Sequence, residues 1–265
     1  MPAILQGLVI VNTRPAQQQA NLSTVLEVSG AVMLAVPAIE IVEAPVTDFH
    51  RNLSTSIAGF DIALFISRNA VDGAFRYFDA DAIPGNLQLG VIGQGTGQRL
   101  IEKIKGRSLK LISAEPYNSE GLLAALQGQS LQGKRIIIFR GQPGRNLLGD
   151  ELSAAGAKLH YCEVYRRVVP AGLESNYLGQ VSRHPPNLIL FTSNEGMQYL
   201  VSSLAGEQRN LIKRIPWLLI SDRMRESALK LGHNAEILIA KSPGDSGIQQ
   251  SICDWANGQK KNEQR

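Results

Sequence analysis

Small polar side chains recur where strands should end and helices begin: Ser67 and Asn69, Thr96, Ser119, Thr192 with Ser193, and Ser221. A hydroxyl or amide at such a point can cap the helix that follows, and for any single one that is the plainer reading. As a set they describe the carboxyl edge of open α/β sheets, where such sheets bind ligands. With backbone N–H groups at helix starts, they could grip carboxylates or phosphates using little formal charge. Arg14, Arg140 and Arg145 add positive charge at turns, where each either meets an anion or pairs with a local acid. Tyr165 closes a strand just before a crossing segment. Its ring could pack on that segment; its hydroxyl could also act as a weak acid or hydrogen-bond donor.

Other chemistries find less support. His50, His160, His184 and His233 show no ligand spacing with each other or with Cys162 and Cys253. The loop GQGTGQ at 93–98 follows a strand and opens a helix, which invites a dinucleotide reading. Gln98 stands where the third glycine belongs, the loop lies in the third strand–helix unit, and no suitably placed acid follows. A tight turn, or a helix start that binds another anion through Thr96 and backbone N–H groups, fits better. No Ser-His-Asp order, nucleophile elbow or phosphate-loop lysine occurs.

The elements that must hold these residues alternate. Short apolar runs at 8–12, 32–36, 62–66, 89–92 and 109–112 read as strands buried on both faces, and helical spacing lies between them. Residues 47–58 read as a polar helix. A second series follows, with strands at 135–139, 159–164, 188–192, 217–220 and 237–240. Asp245 or Ser246 would cap a last helix, and a polar tail from 258 would fray.

The second series is a copy of the first. Arg140 stands 126 positions after Arg14, and the same offset carries Gly7 to Gly133, Leu22 to Leu148, Leu26 to Leu152 and Gly30-Ala31 to Gly156-Ala157. Asp61–Ser67 falls on Asn187–Ser193. Tyr165 falls on Ile39, so the copies differ at the tyrosine. Each copy supplies two strands, a Pro-bearing crossing segment, then three strands. Ten strands suit two five-stranded parallel sheets covered by helices on both faces.

With 265 residues, 44% hydrophobic and 19% charged, the chain is that of a folded protein with room for two domains. A net charge of +4 and a pI near 9.1 favour an anionic ligand but fall short of a nucleic-acid-binding signature. No apolar run approaches the roughly 18 residues of a membrane span, and the first residues read as a strand, not a leader. Two cysteines without spacing suit a reducing cytoplasm.

An ordered series of modest motifs resembles the uroporphyrinogen-III synthase family over residues 8–255: VNTRP at 11–15, PAIEI at 37–41, DIALFISRNAV at 61–71, VIGQGTGQRL at 91–100, NSEGLL at 118–123, FRGQPGRNLLGDEL at 139–152, GAKLHYCEVYRR at 156–167, LFTSNEGM at 190–197 and ISDRMRESALKLG at 220–232. The resemblance implies two flavodoxin-like, doubly wound parallel-sheet domains, interleaved in sequence and joined by a two-stranded linker. Residues 1–40 with 172–257 would form one domain and 43–167 the other, with linker strands at 37–45 and 166–172 and a frayed tail at 258–265. It also implies the activity: hydroxymethylbilane, a linear tetrapyrrole, is cyclised to uroporphyrinogen III with loss of water and inversion of ring D. The family uses no metal or organic cofactor and its members are usually monomers. The tyrosine that matches Tyr165 is its leading candidate for the acid. Arg14, Ser67, Asn69, Thr96, Ser119, Arg140, Arg145, Thr192, Ser193 and Ser221 become the expected contacts to a carboxylate-rich substrate. The expected partners are that small molecule and its hand-over from the preceding pathway enzyme, in the cytoplasm, with no nucleic acid and no membrane.

Two places depart from the family's pattern. Arg68 and Ile66 stand inside a stretch that otherwise reads FTSxNAV, and Ser221-Asp222 stands where other members carry threonines. The alternative to a cyclising lyase is a two-lobed binding protein that closes on an anionic small molecule without chemistry.

Overall fold

The computed structural model describes residues 4–107, 109–113, 119–142, 144 and 147–263. These fall into two compact units, one drawn from Met1–Glu40 and Val168–Arg265, the other from Ile41–Arg167. Among the described residues the strands are β1 (Val9–Asn12), β2 (Val32–Ala35), β3 (Glu40–Glu43), β4 (Ile62–Phe65), β5 (Gln88–Val91), β6 (Leu111–Ser113), β7 (Arg135–Gln142), β8 (Lys158–Val168), β9 (Leu188–Phe191), β10 (Trp217–Leu219) and β11 (Ile237–Ile239). The helices are α1 (Ala20–Val28), α2 (Asp48–Arg51), α3 (Leu53–Ser56), α4 (Arg68–Ala74), α5 (Gln94–Lys103), α6 (Ser119–Leu126), α7 (Leu147–Ala154), α8 (Leu173–Val181), α9 (Asn194–Ser203), α10 (Gly206–Ile212), α11 (Asp222–Lys230) and α12 (Asp245–Glu263).

The first unit holds a sheet in the order β11-β10-β9-β1-β2, with parallel pairing throughout. The order is that of a flavodoxin-like sheet, in which the first strand of the unit lies beside its second and its third. Every residue of β9 and β10 is buried, because helices cover both faces. Val11, Ile189, Phe191, Trp217 and Leu219 point to the face that also buries Met197 and Leu200 of α9. Ile10, Leu188, Leu190 and Leu218 point to the other, under Leu22 and Leu26 of α1 and Ile248 and Ile252 of α12. Each fully buried Leu or Ile contributes about 1.5–3 kcal/mol of apolar burial.

The second unit holds the order β3-β8-β7-β4-β5-β6. Apart from β3 this is the same arrangement with its parts permuted: the pair β7–β8 comes last in the chain yet takes the place of a first pair. Ala63, Phe65, Ile137 and Phe139 face one core with α4, while Ile62, Leu64, Ile136 and Ile138 face the other with Leu122 and Leu126 of α6 and Leu148 and Leu152 of α7.

Four differences from the sequence reading have physical causes. Among the described residues the sheets have five and six strands, not five each, because the crossing segment after Pro37 is itself a strand that pairs with β8. The run at 47–58 is two single turns, α2 and α3, followed by a 3-10 turn at Ile57–Gly59, and not one helix. Thr47 caps the first turn through a box closed by the His50 ring. β7 continues past Phe139 to Gln142, since β8 is long enough to pair with it there, so Arg140 lies in a strand and not in a turn. α12 runs on to Glu263 through the stretch expected as a polar tail, because a helix already nucleated is extended at little cost.

Candidate active site

In the second unit the sheet's carboxyl edge gathers Ser67, Thr96 and Tyr165. Ser67 follows β4 and is the N-cap of α4, where its Oγ accepts the Ala70 N–H at 3.1 Å. The same Oγ lies 3.1 Å from the Tyr165 Oη. Asn69 stands in the first turn of α4 and takes no capping bond there. Thr96 is buried in the first turn of α5. The chain enters that helix through Gly93 at φ 90°, a left-handed conformation that favours glycine. Gly93 is therefore accounted for by the turn. A Cβ on Gly95 would meet the Arg68 guanidinium, the movable end of a long side chain.

Tyr165 reaches this edge through an irregularity in β8. Arg140 pairs with Glu163 and the next residue, Gly141, pairs with Tyr165, so Val164 is extra. Strict alternation would put Tyr165 on the face of Leu159 and Tyr161, which pack on the α6–α7 side. The bulge turns it to the face of Cys162 and Val164 instead, into the core under α4. Val164 and Tyr165 are consequently both buried, at 0% and 2% exposure. A Cβ on Gly141 would stand 2.5 Å from the Tyr165 ring, so glycine at 141 lets the phenol lie on the β7 backbone. The Arg167 guanidinium donates to the Tyr165 Oη at 3.3 Å and lies over its ring, 5.6 Å from the centroid.

The arginines make local pairs. Arg140 is nearly buried in β7, bridges to Glu163 on β8 at 3.0 Å and lies over the Tyr161 ring at 3.8 Å. Arg14, just past β1, is equally buried and pairs with Asp245 at the start of α12. Each thus satisfies the local-acid alternative. Arg145 and the Ser119 side chain lie outside the described residues; Ser119 opens α6.

In the first unit the matching edge carries Thr192 and Ser193 after β9 and Ser221 after β10. Ser193 caps α9 by accepting the Gly196 N–H at 3.0 Å. Ser221 holds the cap position of α11 without a capping side-chain bond, unlike the expectation from its type. Thr13 is not among the residues that the sequence singles out, yet it is buried beside this edge, its hydroxyl donating to the Leu190 carbonyl at 2.7 Å.

Nucleophilic and metal chemistry gain nothing from the geometry. Burial, with a smaller contribution from Glu163, pushes the Cys162 thiol up to about 12, so it stays protonated and inert. Among the described residues no group of three or more His, Cys, Asp or Glu side chains comes together. Nor, among them, is any helix long and apolar enough to cross a membrane.

Arg167 and Gly141 fall within the sequence motifs but carry no role there. Arg167 has a signal, two residues past Tyr165 on the same strand face. Gly141 has another, a glycine interrupting a strand.

Comparison with known proteins converges on one family. A family model described as uroporphyrinogen-III synthase HemD matches residues 20–249. The chain is 27% identical over 246 residues to the uroporphyrinogen-III synthase of Salmonella typhimurium, covering 92% of this chain and 99% of that one. It is 28% identical over 248 residues to the uroporphyrinogen-III synthase of Escherichia coli K12, with the same coverage of 92% and 99%. Two solved structures share the fold. A mutant uroporphyrinogen III synthase from the extremely thermophilic bacterium Thermus thermophilus gives a TM-score of 0.61 at 13% identity, over 92% of this chain and 98% of that one. Uroporphyrinogen-III synthetase from Helicobacter pylori 26695 gives 0.58 at 14% identity, over 92% and 98%.

Proposed function

The chain belongs to the uroporphyrinogen-III synthase family, and from that premise we propose how its residues would carry the reaction: cyclisation of hydroxymethylbilane to uroporphyrinogen III, with loss of water and inversion of ring D, by a lyase that draws on no cofactor. Tyr165 is the acid. It gives its phenol proton to the departing hydroxyl, water leaves, and an electron-deficient azafulvene remains. When the ring closes, the closing carbon releases a proton and the phenolate recovers one, so only water is lost overall. Closure without inversion occurs unaided, and the larger task is to hold the linear chain so that ring D closes inverted.

The observation that carries this reading is the setting of Tyr165: a phenol at the sheet's carboxyl edge, its oxygen 3.1 Å from Ser67 and 3.3 Å from Arg167. Hydroxyls and helix starts at the strand ends of each unit, at Thr96, Thr192, Ser193 and Ser221, supply neutral donors for the substrate's carboxylates. Arg14 and Arg140, each sharing its charge with a local carboxylate, add a positive edge. In the same reading the protein works as a cytoplasmic monomer and takes hydroxymethylbilane as the preceding pathway enzyme releases it.

Incubation with enzymatically generated hydroxymethylbilane, followed by chromatographic separation of the isomers, tests it. Isomer III should dominate. Accumulation of isomer I alone, as in the enzyme-free blank, would leave only a binding role.

A further inference from the structure

We propose that Arg167 is a positioning residue for Tyr165, holding the phenol so that its proton is presented to the substrate and not to Ser67. The inference rests on the assignment of Tyr165 as the acid and deepens it.

A phenol oxygen offers one proton and accepts two hydrogen bonds. Arg167 has only donors, so its bond to the Tyr165 Oη takes up one of the accepting positions. Ser67 has already committed one acceptor site to the Ala70 N–H, and its own proton is available to the phenol oxygen 3.1 Å away. With both accepting positions filled, the phenol proton is directed to a third group. Without Arg167 the phenol can turn and spend its proton on Ser67, which leaves nothing for the departing hydroxyl.

The surroundings make this choice matter. Tyr165 is 2% exposed, so water does not readily replace a missing partner. The ring rests on the backbone at Gly141 and cannot sink further toward β7. Arg167 shares the strand face of Tyr165 by the two-residue period and is itself only partly buried, so its guanidinium reaches back over the ring from the solvent side. Among the described residues, Ser67 and Arg167 are the groups bonded to this oxygen.

Steady-state kinetics on hydroxymethylbilane would be measured for Arg167→Ala, Arg167→Lys, Tyr165→Phe and the double variant Tyr165→Phe with Arg167→Ala. Arg167→Ala should lower kcat roughly 10- to 100-fold, the worth of one hydrogen bond to a charged group, with KM within about twofold. Arg167→Lys should recover most of that loss, and it keeps the test informative should the alanine variant fold poorly. In the Tyr165→Phe background, removing Arg167 should change kcat by less than about twofold, because the two act as a unit. A loss of kcat that is as large without the phenol as with it overturns the proposal. So does a rise in KM with kcat unchanged, which would make Arg167 a grip on a substrate carboxylate. If Tyr165→Phe itself leaves kcat intact, the acid assignment fails and takes this inference with it. If Tyr165→Phe is slow while Arg167→Ala is silent, the acid stands and only the positioning role falls.

Discussion

At the residue scale, one oxygen separates a structural tyrosine from a chemical one. The Tyr165 ring belongs to the core under α4, together with Phe65, Phe139 and Val164. Tyr165→Phe keeps that packing and removes only the bonds to Ser67 and Arg167. The net worth of such bonds is about 1 kcal/mol each, so losing both at this chain length lowers the melting temperature by about 4–8 °C. Loss of a general acid should cost roughly 10²–10⁴ in turnover. Melting curves and kcat on the same preparation check the pair of outcomes. A drop in melting temperature with turnover unchanged would return Tyr165 to the core and nothing else. The residue types were readable in the sequence; their company was not. Ser67 reads more plainly as a helix cap than as a site hydroxyl, and it serves as the cap while touching the phenol. Arg14 and Arg140 fall on each other under the duplication, yet one follows its strand and the other lies within it. What decides that is the length of the neighbouring strand, which no residue at 140 records.

At the scale of elements, the bulge in β8 does the placing. Apolar runs and glycine stops make the strands and helices legible, because burial on both faces demands the runs and a left-handed exit demands the glycine. A bulge has no such demand in its own strand: Val164 looks like any β-branched residue. The trace of it is on the partner, where Gly141 interrupts β7. Gly141→Ala would place a methyl 2.5 Å from the Tyr165 ring, flanked by the β7 backbone and unable to recede. Overpacking of this kind costs about 1–3 kcal/mol. The ring must shift, carrying its oxygen off Ser67 and Arg167. The variant should therefore fold with a lowered melting temperature and lose turnover on the scale of Tyr165→Phe. Full activity at a normal melting temperature would show that the bulge does not set the phenol's position.

At the scale of the whole chain, the duplication is visible in sequence, but it is silent about which front piece packs with which back piece, since both copies carry the same pattern. The register decides it: Ile10 of the first copy lies beside Leu188 of the second in one sheet, and Leu64 of the first beside Ile138 of the second in the other. Each unit so formed also packs an imidazole against an aromatic ring, buried for His233 and partly buried for His160. His233 stacks on Trp217 at 3.9 Å in one, and His160 lies 3.8 Å from Phe49 in the other. Burial holds His233 below the usual 6.5, partly offset by its bonds to the backbone of Glu236 and Ala235. Burial, and then the nearby His50, do the same for His160. A histidine whose native pKa is depressed binds fewer protons folded than unfolded just below 6.5, so stability rises with pH across that window and is lost as pH falls through it. Asp61, lowered by its bond from the Arg135 N–H and then by Lys134, acts in a separate window below 3.8. Acidification from about pH 7.5 to 5.5 should thus lower the melting temperature through His233 and His160. Both tryptophans, Trp217 and Trp255, lie outside 41–167, so their emission follows the unit that contains His233. His233→Phe should melt lower at neutral pH, having lost the bond to the Glu236 carbonyl, but its tryptophan-detected midpoint should fall less between the two pH values. An unchanged fall in that variant would show that His233 does not carry the acid sensitivity of its unit.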